Sequence, residues 1–238
     1  MKIIALDQIT AVTPSSEDAN YPATNVQDDF RTNPWQAGSA VESTLTLDIS
    51  ANSNALMLSF MNSGQVTVEV KDAGSSTIYG PTAHNINTDN PNLWVDYDLQ
   101  AGVAQALLTF SDPGDDPPYC GIARAAYAYS FNQFGYGMQE GLKDHGISDE
   151  YNSGADYYKY VAICRTFSGS FWVARDSDFY TFMHSIVMKY GRGPYAMRLT
   201  DLSNCDWAVF GMLDVGLPKG THKKPTRSLI SLSMKEGM

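Results

Sequence analysis

TLTLDISANSNALMLSFMNSGQVTVEVKD (44–72) decides the fold. Its first seven residues alternate polar and apolar, and Val66, Val68 and Val70 alternate again in QVTVEVK (65–71). Strict alternation is the mark of a strand with one face in a core and one in water. Between them, ALMLSFM (55–61) is apolar nearly throughout, which predicts a strand covered on both faces. Asn62-Ser63-Gly64 and Asp72-Ala73-Gly74 supply the turns. The pattern continues in LWVDYDL (93–99) and QALLTFS (105–111), separated by Asn90-Pro91-Asn92 and followed by Asp112-Pro113-Gly114. Short alternating strands at near-regular spacing predict an antiparallel sandwich or barrel. CGIARAAYAYSF (120–131) closes the unit, which has no helical periodicity.

The second half opens on a Gly- and Tyr-rich stretch from Asn132, readable as a linker, a long hairpin or an arm. Strands follow at 158–173. One helix is then predicted: Asp176 or Ser177 caps it, and Phe179, Phe182, Met183, Ile186, Val187 and Tyr190 form a stripe of period 3.6. Gly191-Arg192-Gly193-Pro194 ends it. Strands at 195–201, 206–215 and 226–236 complete the chain. The expectation is a mainly β protein: an N-terminal antiparallel jelly-roll sandwich (1–131), then a β-rich assembly domain (132–238) with a single helix at about 178–190.

Length and charge agree with two modules. The chain has 238 residues and a net charge of −10, unevenly placed. Residues 1–118 hold three basic residues against fifteen acids, while 119–238 hold thirteen against eleven. The acidic half repels phosphates, so no nucleic-acid partner is expected. No apolar run reaches the roughly 20 residues of a membrane span. MKIIALDQIT lacks a signal-peptide core, so synthesis in the cytosol is expected. The cysteines Cys120, Cys164 and Cys205 are odd in number and widely spaced; they read as small buried hydrophobes, not as a disulfide framework.

Nothing in the motifs indicates turnover. There is no Gly-x-Ser-x-Gly elbow, no phosphate loop and no His pair at zinc spacing. The expectation is a protein that is not an enzyme and carries no cofactor, with calcium as the one candidate ion. Asp112, Asp115 and Asp116 are the candidate ligands, in a loop rich in the oxygens calcium prefers. Turn chemistry explains the same residues equally well. Aromatics make up 12% of the chain, with fourteen tyrosines. Tyr151, Tyr157, Tyr158 and Tyr160, with the basic cluster Lys219, Lys223, Lys224 and Arg227, are the candidate contacts with neighbouring subunits.

One stretch carries a resemblance. VTPSSEDANYPATNVQDDFRTNPWQAG (12–38) contains Tyr21-Pro22-Ala23, Asn25, Asp28, Asp29 and Trp35. It resembles the opening of a discoidin-like (galactose-binding-like, coagulation factor 5/8 C-type) sandwich, in a cysteine-free form similar to versions in bacteriophage virion proteins. That likeness implies a sugar site on loops, with Arg31, Asp29 and Trp35 in the first loop and Trp94 with Asp96 later. Residues from about 119 onward look like tailed-phage tail and tail-tip proteins. The two likenesses together imply a structural virion protein, in the tail tip or baseplate, that forms rings or oligomers with other virion proteins and attaches to host surfaces. The alternative reading is a carbohydrate-binding module for cell-surface glycans.

Overall fold

The structure is a computed structural model and describes residues 1–29, 32–39, 41–50, 52–87, 91–98, 102–111, 114–132, 138–144, 147–150, 156–159, 163–174, 177–200, 208–213, 218–224 and 226–236. Among the described residues it is mainly β, with antiparallel pairing, a 3-10 turn at Ala23–Gln27 and one longer helix. The chain divides into two compact units. The first comprises Met1–Ser130 together with Tyr195–Phe210; the second comprises Phe131–Pro194 and Gly211–Met238. The sequence placed Tyr195–Phe210 in the second module. The strand it carries finds its partner near residue 3, and local periodicity does not encode a pairing over that distance.

The strands of the first unit are β1 (Lys2–Ile4), β2 (Ile9–Pro14), β3 (Trp35–Gln36), β4 (Ser43–Ile49), β5 (Ala55–Met61), β6 (Gln65–Asp72), β7 (Thr77–Asn85), β8 (Asn92–Asp96), β9 (Val103–Ser111), β10 (Tyr119–Ala126) and β11 (Tyr129–Ser130). One sheet runs β2-β4-β9-β6-β7 and another β3-β10-β5-β8. Between them lie Leu45, Leu47, Leu56, Leu58, Val66, Val68, Leu108 and Phe110, all shielded from water. The alternating residues of β4 and β6 point inward, as period-2 patterning requires.

The four-stranded sheet has a second covered face. Ala55, Met57, Trp94, Ile122 and Ala126 pack with Ile4, Ala196, Ala208 and Phe210 in an outer cluster. β1 pairs with β11 through Ile3↔Tyr129 and with Tyr195–Arg198 through Ile3↔Met197. The reading of β5 as buried on both faces is therefore correct. Its alternation breaks at Phe60, a bulky residue at φ +59, a conformation L side chains disfavour. Before it, Leu56 and Leu58 face the sandwich; after it, Met61 does, and Phe60 packs on the outer cluster. β7 bulges against β6, and Gly80 (φ +77) sits where a Cβ would come within 2.2 Å of the Val68 carbonyl oxygen.

In the second unit the strands are β12 (Gln139–Asp144), β13 (Ile147–Glu150), β14 (Asp156–Lys159) and β15 (Ile163–Ala174), and, after the helix, β18 (Lys219–Lys224) and β19 (Arg227–Glu236). The two strands between are β16 (Tyr195–Arg198), in the first unit, and β17 (Ala208–Leu213), whose last three residues belong to the second. β19 pairs along its length with β15, which also pairs with β12; β13 and β14 form a hairpin. The helix lies where expected, over Asp178–Tyr190, but its turns differ. Thr181–Val187 is a π-helix between short α-turns, with the Met188 N–H donating to Met183 O. The wider turn buries Phe182, Ile186 and Val187 and leaves Phe179, Met183 and Tyr190 at the margin. Phe182 meets Phe171 edge-on at 5.3 Å and Phe131 at 5.4 Å.

The two-sided burial of β5 has a measurable consequence. Leu58→Ala (sandwich side) and Met57→Ala (outer side) are each expected to cost about 2–5 kcal/mol in denaturant unfolding, whereas Thr82→Ala on the exposed β7 stays within about 0.5 kcal/mol. A small loss at Met57 would show that the outer cluster does not stabilise the sheet.

Candidate functional site

Trp35 organises the segment that resembles a discoidin opening. Its ring is 0% exposed, lies 5.3 Å from Phe110, and donates its Nε1–H to Ser16 O. With that plug in place, the chain on either side is tied down by its backbone. The Gln36 N–H donates to Tyr21 O, the Asp18 N–H to Gln36 O, and the Tyr21 N–H to Asp18 O. The Ala23 N–H donates to Glu17 Oε2 at 2.7 Å. Across from this loop, Gln36 pairs in register with Tyr119 of β10, and the Ala37 N–H donates to Pro118 O. Asn62 locks the second wall: its Nδ2 donates to Pro117 O, and its Oδ1 accepts the Tyr119 N–H at 2.7 Å.

These two walls enclose an open concavity of about 440 Å³ lined by Tyr21, Thr32, Pro34, Gln36, Asp116 and Tyr119. Tyr21 is 38% exposed, enough to present ring surface, and Tyr119 is half-buried. The lining therefore offers two aromatic rings, a hydroxyl, an amide and one carboxylate. Such a set stacks on and hydrogen-bonds to a polar ligand.

A buried arginine anchors the base of the same loop. Arg124 Nη1 donates to Val26 O and Ala123 O, and Nη2 to Asp28 O and to Asp29 Oδ1 at 2.8 Å. Its guanidinium lies 5.0 Å over the Phe210 ring. Asp7 approaches to 4.0 Å and accepts the Ile9 and Ala125 N–H groups. Burial pushes the Asp7 carboxyl above its ordinary value, outweighing the pull of Arg124 and of the backbone donors. Local pattern does not announce this clamp, because an arginine within an alanine-rich strand has no distinctive spacing.

The expected sugar residues stand elsewhere. Trp35 is buried, and Trp94, 4% exposed, lies in the outer cluster, so neither offers a face to a ligand. Trp35 was expected in the first loop and Trp94 in a strand; each fills apolar space in a core cluster. Asp96 is saturated by the Trp94 Nε1–H at 2.9 Å, Arg198 at 2.9 Å and Lys2 at 2.8 Å. Asp29 is committed to Arg124, and Arg31 lies outside the described residues. Of the calcium candidates, Asp115 and Asp116 are exposed and Asp112 lies outside the described residues. Among the described residues no three acidic, His or Cys side chains gather into a metal site. Tyr157 and Tyr158 fall in β14, Lys219, Lys223 and Lys224 in β18, and Arg227 is exposed at the start of β19. Tyr151 and Tyr160 lie outside the described residues. Cys120 and Cys164 are buried free thiols, Cys120 with its pKa pushed up by burial to about 12; Cys205 lies outside the described residues. Among the described residues no helix is long and apolar enough to cross a membrane.

No family model matches the chain, and no curated protein matches it. Solved structures are similar to about half of it. A chain in the structure of reduced XRCC1 bound to the DNA polymerase β catalytic domain is 15% identical, with a TM-score of 0.42, over 50% of this chain and 96% of that one. A fucose-binding module of Streptococcus pneumoniae is 12% identical, with a TM-score of 0.40, over 53% and 100%. A CBM32 module of Clostridium perfringens in complex with GalNAc-β-1,3-galactose is 11% identical, with a TM-score of 0.41, over 49% and 94%. Fold and site define an antiparallel β-sandwich with a tyrosine-walled concavity beside its β3–β10 pairing.

The Asp7 carboxyl gives a pH signature. A carboxyl whose folded pKa exceeds its unfolded value favours folding most below the unfolded pKa, and loses that contribution as pH rises through the folded pKa. Asp7→Asn keeps the acceptor for the two N–H groups and removes the charge. Its stability relative to the parent, from urea unfolding, is expected to improve from acid to neutral pH; a change in the other direction would show that Arg124 dominates.

Proposed function

We propose that the first unit is a carbohydrate-binding module that holds a glycan in the concavity between Tyr21 and Tyr119 and works by binding without turnover. The observation that carries this is the lining itself. A pyranose has an apolar C–H face and a rim of hydroxyls. Tyrosine rings cover the first, and the Gln36 amide, Thr32 hydroxyl and Asp116 carboxylate bond the second. The cavity is open, which suits an end or a branch of a cell-surface glycan more than a small buried metabolite. The test is glycan-array binding followed by calorimetry. Tyr21→Ala is expected to weaken the best glycan at least about tenfold, a loss of about 1.4 kcal/mol, with thermal unfolding unchanged. Unaltered affinity in that variant would place the ligand elsewhere.

A second reading concerns the second unit. Leu142, Tyr180, Met188 and Met212 are large apolar side chains exposed there, with Met188 70% accessible. Exposed apolar side chains are what an assembly contact would cover, the role expected of a virion tail component. A defined oligomer at micromolar concentration is expected by sedimentation, shifted toward monomer by Tyr180→Ser with Met188→Ser. A strictly monomeric parent would remove this reading.

A further inference from the structure

Resting on the carbohydrate-binding reading, we infer that the ligand of the concavity is cationic: a glycan of amino sugars whose nitrogens carry no acetyl group. Among the described residues the one charged group that lines the concavity is an acid, and the cation at the base of its loop, Arg124, is buried and engaged with Val26, Asp28 and Asp29. Asp116 lines it directly. Asp115 precedes it and is exposed. Asp18 is bound through its backbone to both Tyr21 and Gln36, and its Oδ1 accepts the Asn20 N–H. Glu17 holds the Ala23 N–H on the same loop. The two described lysines of residues 1–118 are engaged elsewhere, Lys2 with Asp96 at 2.8 Å and Lys71 with Glu69 at 3.1 Å.

The consequences for a ligand are physical. A neutral sugar gains hydrogen bonds at Asp116 but must displace the water that solvates the carboxylate. An ammonium replaces that water with a charge-assisted hydrogen bond, which is about twice as strong as a neutral one. The flanking acids add long-range attraction for a positive chain and raise its local concentration. Tyr21 and Tyr119 add a further preference, because an aromatic face attracts a cation as well as a C–H face. Asp116 was read from the sequence as a calcium ligand; it lines the concavity, where its carboxylate meets an organic cation as readily as a metal ion.

The experiment is calorimetry of the full chain against a glucosamine tetramer, the same tetramer fully N-acetylated, a panel of neutral glycans, and tetralysine. The glucosamine tetramer is expected to bind at least about tenfold tighter than its acetylated form at low ionic strength. That ratio should fall toward one at about 0.5 M salt, where screening shortens the reach of the acids. In Asp116→Asn the amine form should lose more affinity than the acetylated form, and Tyr21→Ala should weaken both. Equal or weaker binding of the amine form overturns the inference and leaves the glycan reading standing. Absence of binding to every sugar overturns both. Tetralysine matching the glucosamine tetramer in affinity and competing with it overturns the inference in favour of a cationic peptide.

Discussion

The β3-β10-β5-β8 sheet has no face to spare for water. A sheet in a simple two-layer sandwich solvates one side, and its strands alternate accordingly. Here the side turned away from the sandwich core is covered by Ile4, Ala196, Ala208 and Phe210. This one constraint explains why ALMLSFM carries no polar alternation and why β10 admits six consecutive buried residues after Cys120. It also explains why the single cation on β10, Arg124, is wrapped by carbonyl oxygens, a carboxylate and an aromatic ring. A guanidinium in such a layer must be fully bonded, and most of the groups that bond it come from the loop that lines the concavity.

Much of this was written locally. Strands β4, β6 and β9 follow from period-2 alternation, β5 from its unbroken apolar run, and the helix from its stripe, with Ser177 at its N-cap making no capping side-chain bond. What the sequence hid was set by distance or by small geometry. Tyr195–Arg198 reads as an ordinary strand, and nothing local says that it belongs with residues 2–4. The π turn of Thr181–Val187 leaves the same residues in the same order and changes only which of them face inward. Phe60 reverses a strand's parity through one backbone angle. The hairpin alternative for the Gly- and Tyr-rich stretch is realised in part, by β13 and β14.

The site shows the same division. The 12–38 stretch holds both the plug and the presenting ring, and the sugar-contact role that the resemblance implied for Trp35 passes to Tyr21. Trp35, the larger aromatic, is spent on the core, and Tyr21, quoted only as part of a turn, faces the cavity. An exposed indole and a buried one look alike in a sequence; what separates them is the depth of the neighbouring strand, here the pairing of β3 with β10. Tyr119 and Asp116 join the site because Asn62 holds their segment from the next strand connection, a side-chain bond that no spacing rule announces.

The first unit closes only when Tyr195–Phe210 returns to it. On the ribosome, the stretch Phe131–Pro194 separates the early segment from this late one, a wait of roughly 3–13 s at the usual pace of translation. During that interval the outer surface of the four-stranded sheet, with Met57, Trp94 and Ile122, stands uncovered on the nascent chain. The fold thus exposes a transient sticky layer to chaperones and to sibling chains on the same message, and makes the speed of decoding the middle of the gene a determinant of yield.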